Sequence, residues 1–150
     1  MNGQKAPKFA AMKIHLKRVN KAVHLEAVNE AGNKVQIDGA PKIGGAEQGA
    51  RPMELIIMGL GGCSSMDVLN ILYKQKQEVV DYEVNIEADR EEDAVPSLFT
   101  NIHVEFVLKG NIDQKKADRA AKLSMEKYCS VTKILEKTAK ITHSVKIIEA

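Results

Sequence analysis

The segment RPMELIIMGLGGCSSMDVLNILYKQK, residues 51–76, decides how the rest of the chain is arranged. Pro52 suits the first position of a helix, where its missing N–H would have no partner anyway. From Met53 to Cys63 nearly every residue is apolar or glycine, and the stretch becomes polar only after Leu72. This is the pattern of a long helix, Met53 to about Lys76, whose first turns lie in a core. At 1.5 Å per residue it would be about 35 Å long. Gly59, Gly61 and Gly62 inside such a helix each cost about 1 kcal/mol relative to Ala. Close approach of another backbone is the expected compensation, and it would leave Cys63 at a crowded junction.

Before this helix, Met12 to Val19 and Ala22 to Val28 alternate apolar and polar residues around Asn20-Lys21, which predicts a tight β-hairpin. A second turn at residues 29–33 leads to a short strand at Lys34 to Ile37, making three antiparallel strands. A Gly-rich loop from Asp38 to Ala50 then runs into Pro52. Beyond the helix, Glu78 to Asp89 and Phe99 to Leu108 alternate again and predict two strands joined by a charged loop. Asp113 reads as the N-cap of a helix over Gln114 to Tyr128. A short helix over Val131 to Thr138 and a last strand from Ile141 to Ile148 complete the chain. The class is α+β, with mostly antiparallel sheets around one long central helix. That helix is apolar on so many sides that one protomer has little left to cover it, which predicts a homodimer sharing it.

Composition narrows the function. A chain of 150 residues that is 44% hydrophobic and 28% charged has the profile of a globular protein. Aromatics make up 4% of it and the formal net charge is +2, so neither stacking platforms nor a basic stripe point to nucleic acid. The strongly apolar run Leu55 to Cys63 is far shorter than the roughly 20 residues of a bilayer span, and no membrane association is expected. Residues 1–11 contain Lys5 and Lys8 but no apolar core like that of a secretory signal, so a cytoplasmic location is expected. They read as a disordered leader or a cloning remnant, with residues 12–150 as a single domain.

Chemistry rests on Cys63 and Cys129. Two cysteines without an export signal suit reduced or redox-active thiols better than a structural staple. Cys129 falls at the break between two predicted helices, where unpaired N–H groups and the helix dipole would lower its pKa and favour thiolate. The plain alternative is that each cysteine is packed for its apolar bulk. The two stand 66 positions apart (129 minus 63), so no CxxC or metal-ligand spacing links them.

Two contexts break this tie. Arg51-Pro52-Met53-Glu54-Leu55 followed by Gly61-Gly62-Cys63, and later Tyr128-Cys129-Ser130-Val131-Thr132-Lys133, resemble the OsmC/Ohr family of osmotically inducible and organic hydroperoxide resistance proteins. The likeness runs from about Met12 to Ile148 and includes the order of strands and helices. It implies an OsmC-like, intertwined homodimer with active sites at its interface. It also implies a thiol peroxidase of oxidative stress defence, acting on organic hydroperoxides. The cysteine matching Cys63 would attack the peroxide and become a sulfenic acid, and the one matching Cys129 would resolve it to a disulfide. An external thiol or dithiol would reduce that disulfide, with no metal or organic cofactor.

In typical family peroxidases an acid directly follows the proline, and an upstream arginine completes the thiolate's hydrogen bonds. Here Met53 holds that place and the acid is Glu54. At about 100° per residue, Met53 is offset from Cys63 by roughly 80° and Glu54 by roughly 180°. Glu54 would therefore face away from the sulfur on a regular helix. Arg51, beside the helix start, Arg18 and Lys42 are open alternatives for the cation, and Glu54 and Arg51 stand with the two cysteines as the candidate catalytic residues. Ser64-Ser65 could donate to a thiolate or simply pack. His15, His24, His103 and His143 have no paired spacing, so no metal site is expected, and Gly44-Gly45 does not form a phosphate loop. A reading of another class is a non-catalytic binding protein, with Ile56, Ile57, Met58, Leu60 and Met66 lining a pocket for a hydrophobic small molecule around Cys63.

Overall fold

The computed structural model describes residues 11–150. The expectation of a leader at residues 1–11 falls, apart from Ala11, outside the described residues. The chain forms two compact units, the first reaching Leu55 and the second Ile56–Ala150.

The first unit carries an antiparallel meander, β1 (Ile14–Arg18), β2 (Leu25–Asn29) and β3 (Lys34–Ile37), with Ile14 opposite Asn29 and Leu25 opposite Ile37. The β1–β2 connection is wider than the two-residue turn expected at Asn20-Lys21. The Asn20 side-chain oxygen accepts the N–H of Ala22 at 2.9 Å and of His24 at 3.2 Å. This local capping shapes residues 20–23 as the loop, closed by the Val19 N–H donating to the His24 carbonyl at 2.9 Å, so β2 starts at Leu25 rather than Ala22.

The Gly-rich loop that follows is ordered by Asp38, which is 1% exposed. Its carboxylate accepts the N–H groups of Gly39 at 2.8 Å, Ala46 at 3.0 Å and Gln48 at 3.1 Å. A Cβ on Gly49 would stand 2.5 Å from the Gln36 carbonyl, so only glycine lets the loop lie against β3.

Helix α1 (Pro52–Lys74) begins in the first unit and continues through the second, ending two residues before the predicted Lys76. Its buried residues Leu60, Ser64, Val68 and Leu72 recur every four positions and form one stripe. Gly61 adjoins that stripe, and a Cβ there would meet Ile86 Cδ1 at 3.1 Å, so its close neighbour is a side chain and not the expected backbone. Nothing lies within 4 Å of a Cβ built on Gly59 or Gly62. The apolar surface away from the stripe is open, with Ile56 at 39%, Met58 at 57% and Met66 at 72% exposure. By length and composition α1 could cross a bilayer, a test that a core helix also passes. The buried stripe packed within the second unit marks it instead as a core helix.

The second unit is a three-stranded sheet ordered β4 (Asp81–Arg90), β5 (Phe99–Lys109), β6 (Lys140–Ile148). β4 and β5 are antiparallel, while β5 and β6 run parallel, with Phe106 beside Val145. The chain between β5 and β6 folds as α2 (Gln114–Leu123), a π-helical turn (Ser124–Tyr128) and α3 (Ser130–Leu135). Asp113 caps α2 as expected, accepting the Lys116 N–H at 2.9 Å. Ile102, Val104, Phe106 and Leu108 of β5 and Ala117, Ala120 and Ala121 of α2 form the core together with the α1 stripe. The helix expected to be continuous to Tyr128 becomes π-helical at Ser124, a change that residue propensities do not signal.

Candidate active site

Cys63 lies in the middle of α1, partly exposed, and Cys129 is fully buried at the N-cap of α3; both are free thiols. Packing brings them near enough in space that Cys63 acts on the Cys129 thiol. The 66 positions separating them in sequence are bridged by the sheet and α2.

The Cys129 sulfur accepts the N–H of Thr132 at 3.4 Å, in the manner of an N-cap side chain. The expected thiolate nonetheless does not follow. Burial pushes the Cys129 thiol above its ordinary pKa, and the neighbouring Cys63 adds to that rise. The Thr132 hydrogen bonds act in the opposite direction and are outweighed. Removing a thiolate from water costs more than one short helix end returns. Burial and the neighbouring Cys63 therefore both favour the protonated form of the Cys129 thiol.

Ser124 and Asp67 join the two cysteine segments. The Ser124 hydroxyl, fully buried, lies 3.0 Å from the Asp67 carboxylate and 3.2 Å from the Ser64 carbonyl, both on α1. The Ser124 carbonyl accepts the N–H of Cys129 at 2.8 Å, an i to i−5 bond that closes the π turn. Thr132 donates its hydroxyl toward the Met125 sulfur at 3.8 Å. A sequence signal existed for Asp67, which follows Cys63 by one helical turn and so shares its face. Ser124 carries no such signal because its partners come from another element.

Ser64 and Ser65 bond within α1, to the carbonyls of Leu60 and Gly61. The Tyr82 hydroxyl donates to Ser65 Oγ at 2.8 Å, and burial raises the phenol's pKa.

The charged candidates are engaged at the start of α1. The Glu54 carboxylate accepts the Arg51 backbone N–H at 2.8 Å, the reciprocal half of a capping box. The Arg51 guanidinium donates to the Gly39 carbonyl and ties the helix start to the Gly-rich loop. Arg18 ends β1 and Lys42 lies in a 3-10 turn, both exposed. His24 pairs with Gln36, and His103 with Thr142 and Ser144. Among the described residues, no group of three or more His, Cys, Asp and Glu side chains is placed to hold a metal ion.

A family model described as OsmC-like protein matches residues 44–144. Protein YhfA of Escherichia coli K12 is 41% identical over 121 residues, covering 80% of this chain and 87% of YhfA. A solved hypothetical protein of Aquifex aeolicus VF5 superposes with a TM-score of 0.77 at 30% identity, covering 93% of this chain and 99% of that one. The organic hydroperoxide resistance protein OsmC of Legionella pneumophila shares the fold, with a TM-score of 0.68 at 13% identity over 93% of this chain and 99% of its own. With two cysteine segments closed on each other around a long apolar helix, the chain belongs to the OsmC family.

Proposed function

We propose that this protein is a thiol-dependent reductase of organic hydroperoxides in which Cys63 attacks the substrate and Cys129 resolves the product. The observation that carries this reading is the nearness of a partly exposed Cys63 to a fully buried Cys129. Such a pair separates the two tasks: one sulfur is reachable by substrate and the other is held back from it. A structural neighbour named as an organic hydroperoxide resistance protein adds support at the level of the fold.

In the first step the Cys63 sulfur, as thiolate, attacks the terminal peroxide oxygen. The O–O bond breaks, the alcohol leaves after taking a proton, and Cys63 becomes a sulfenic acid. Next the Cys129 sulfur attacks Cys63 Sγ. The S–S bond forms, the S–O bond breaks, and the hydroxyl departs with the Cys129 proton as water. A dithiol then returns both cysteines to thiols and is itself oxidised to a disulfide. Glu54 and Arg51 are given a supporting part, fixing the start of the helix that carries Cys63.

The open apolar surface of α1 favours a homodimer as the working form. Ile56, Met58 and Met66 lie on exposed surface, and Gly59 and Gly62 leave room for a second backbone to approach.

Cumene hydroperoxide consumption with a dithiol reductant tests the proposal. The native protein should turn over, and Cys63→Ser should fall to the uncatalysed rate. Absence of turnover in the native protein would sink the proposal and leave the binding of a hydrophobic molecule beside Cys63 as the alternative.

A further inference from the structure

The π turn Ser124–Tyr128 ends directly at Cys129, and π-helical turns are frequent at functional sites. Its five-residue closure adds about one residue per turn relative to an α-helix, which changes the direction in which Cys129 leaves the turn. The hydroxyl of Ser124 is the group that fastens the beginning of this turn to α1. It reaches Asp67 Oδ2 at 3.0 Å and the Ser64 carbonyl at 3.2 Å, while the carbonyl of the same residue receives the Cys129 N–H at 2.8 Å. Ser64 immediately follows Cys63, and Asp67 lies one turn beyond it. One fully buried serine therefore connects the backbone of one cysteine to the helical turn of the other.

We infer that Ser124 and Asp67 are positioning residues that set the separation of Cys63 and Cys129 for disulfide closure. The inference rests on the proposed division of labour between the cysteines. Neither residue is needed for the attack on peroxide, which happens at Cys63 alone. Both are needed for the second step, because Cys129 must reach the sulfur of a sulfenic acid without freedom to search for it. A hydroxyl has one proton to give. The acidic acceptor Asp67, nearer than the Ser64 carbonyl, is its stronger partner.

The two steps can be timed separately. Cys63 oxidation by cumene hydroperoxide is followed by dimedone trapping of the sulfenic acid and mass spectrometry, and closure by loss of free thiols. In Ser124→Ala and Asp67→Ala, Cys63 oxidation should stay within about threefold of native while closure slows at least tenfold, roughly the effect of leaving one buried hydrogen-bonding group unpaired. A dimedone adduct at Cys63 should accumulate in both. Asp67→Asn keeps an acceptor oxygen and should restore most of the closure rate, which a loss of charge or general loosening would not allow. Closure within about threefold of native in both alanine variants would overturn the inference.

A second measurement stands apart from peroxide chemistry. In a titration against reduced and oxidised dithiothreitol, the effective concentration of Cys63 for Cys129 should fall at least tenfold in Ser124→Ala, again roughly the worth of that hydrogen bond. Should the native protein not react with peroxide at all, the proposed function fails, and this titration still decides the role of Ser124. Asp67→Ala, at a partly exposed position, provides the same reading where Ser124→Ala does not fold.

Discussion

At the scale of single residues, the chemistry turns on one buried sulfur. The Cys129 thiol is held above its ordinary value of 9.0, first by burial and then by Cys63. In Cys63→Ser, the alkylation rate of Cys129 by iodoacetamide should therefore keep rising with pH beyond 9.0, because burial, the larger cause, remains. A plateau below that pH would show a stabilised thiolate instead. Cys129→Ser should leave the first oxidation of Cys63 intact and let the sulfenic acid persist or advance to higher acids. Asp38 presents the opposite sign. The backbone N–H of Gln48, followed by those of Ala46 and Gly39, holds its carboxyl below the ordinary 3.8. A depressed folded-state pKa contributes stability that is fully present above 3.8 and is lost as pH falls through the lower folded value. Asp38→Asn should accordingly lower Tm at pH 7 and remove part of the native protein's acid sensitivity. Equal loss of Tm at pH 7 and pH 3 would show that the charge has no part in it.

At the scale of elements, α1 shows how far a sequence pattern reaches. Its start at Pro52 and its apolar first half are readable directly, because a proline at N1 and a run of helix-compatible apolar residues are local properties. The three glycines divide in a way that the sequence does not foretell. Gly61 faces Ile86, whereas Gly59 and Gly62 face open space. In an isolated chain, Gly59→Ala and Gly62→Ala should each stabilise by about 1 kcal/mol through helix propensity alone. If a second chain packs there, the added methyl groups should weaken association instead, and thermal melts at two protein concentrations separate the cases. The π turn is the complementary example. Residues 114–128 read as a single amphipathic helix, and their propensities do not distinguish Ser124 as a point of change. The turn is held by Asp67 and Ser64, which belong to a distant part of the chain.

At the scale of the whole molecule, the proposed homodimer is the feature with the largest physical consequence. Met58 and Met66 expose more than half of their surface on the helix that also carries Cys63. Placing a charge there opposes burial against a second copy at a cost of several kcal/mol, by roughly the desolvation penalty of an unpaired ion. Met58→Glu and Met66→Glu should therefore convert a dimer to a monomer in sedimentation experiments without unfolding the second unit's sheet. A native protein that sediments as a monomer would refute the dimer.

What the sequence determined by itself was local: the alternation of the strands, the proline that starts α1, the Asp113 cap, and the two cysteine contexts that carry the family resemblance. Each depends on residues within a few positions of one another, where periodicity and capping act. The tertiary structure decided the rest. It closed 66 positions of chain so that Cys63 meets Cys129, and it buried Cys129 deeply enough to reverse the expected shift of its pKa. It also turned Glu54 and Arg51 toward the helix start and loop, and recruited Ser124 and Asp67 to the site. Desolvation and long-range hydrogen bonding depend on what lies nearby in space, and that neighbourhood exists only once the chain has folded.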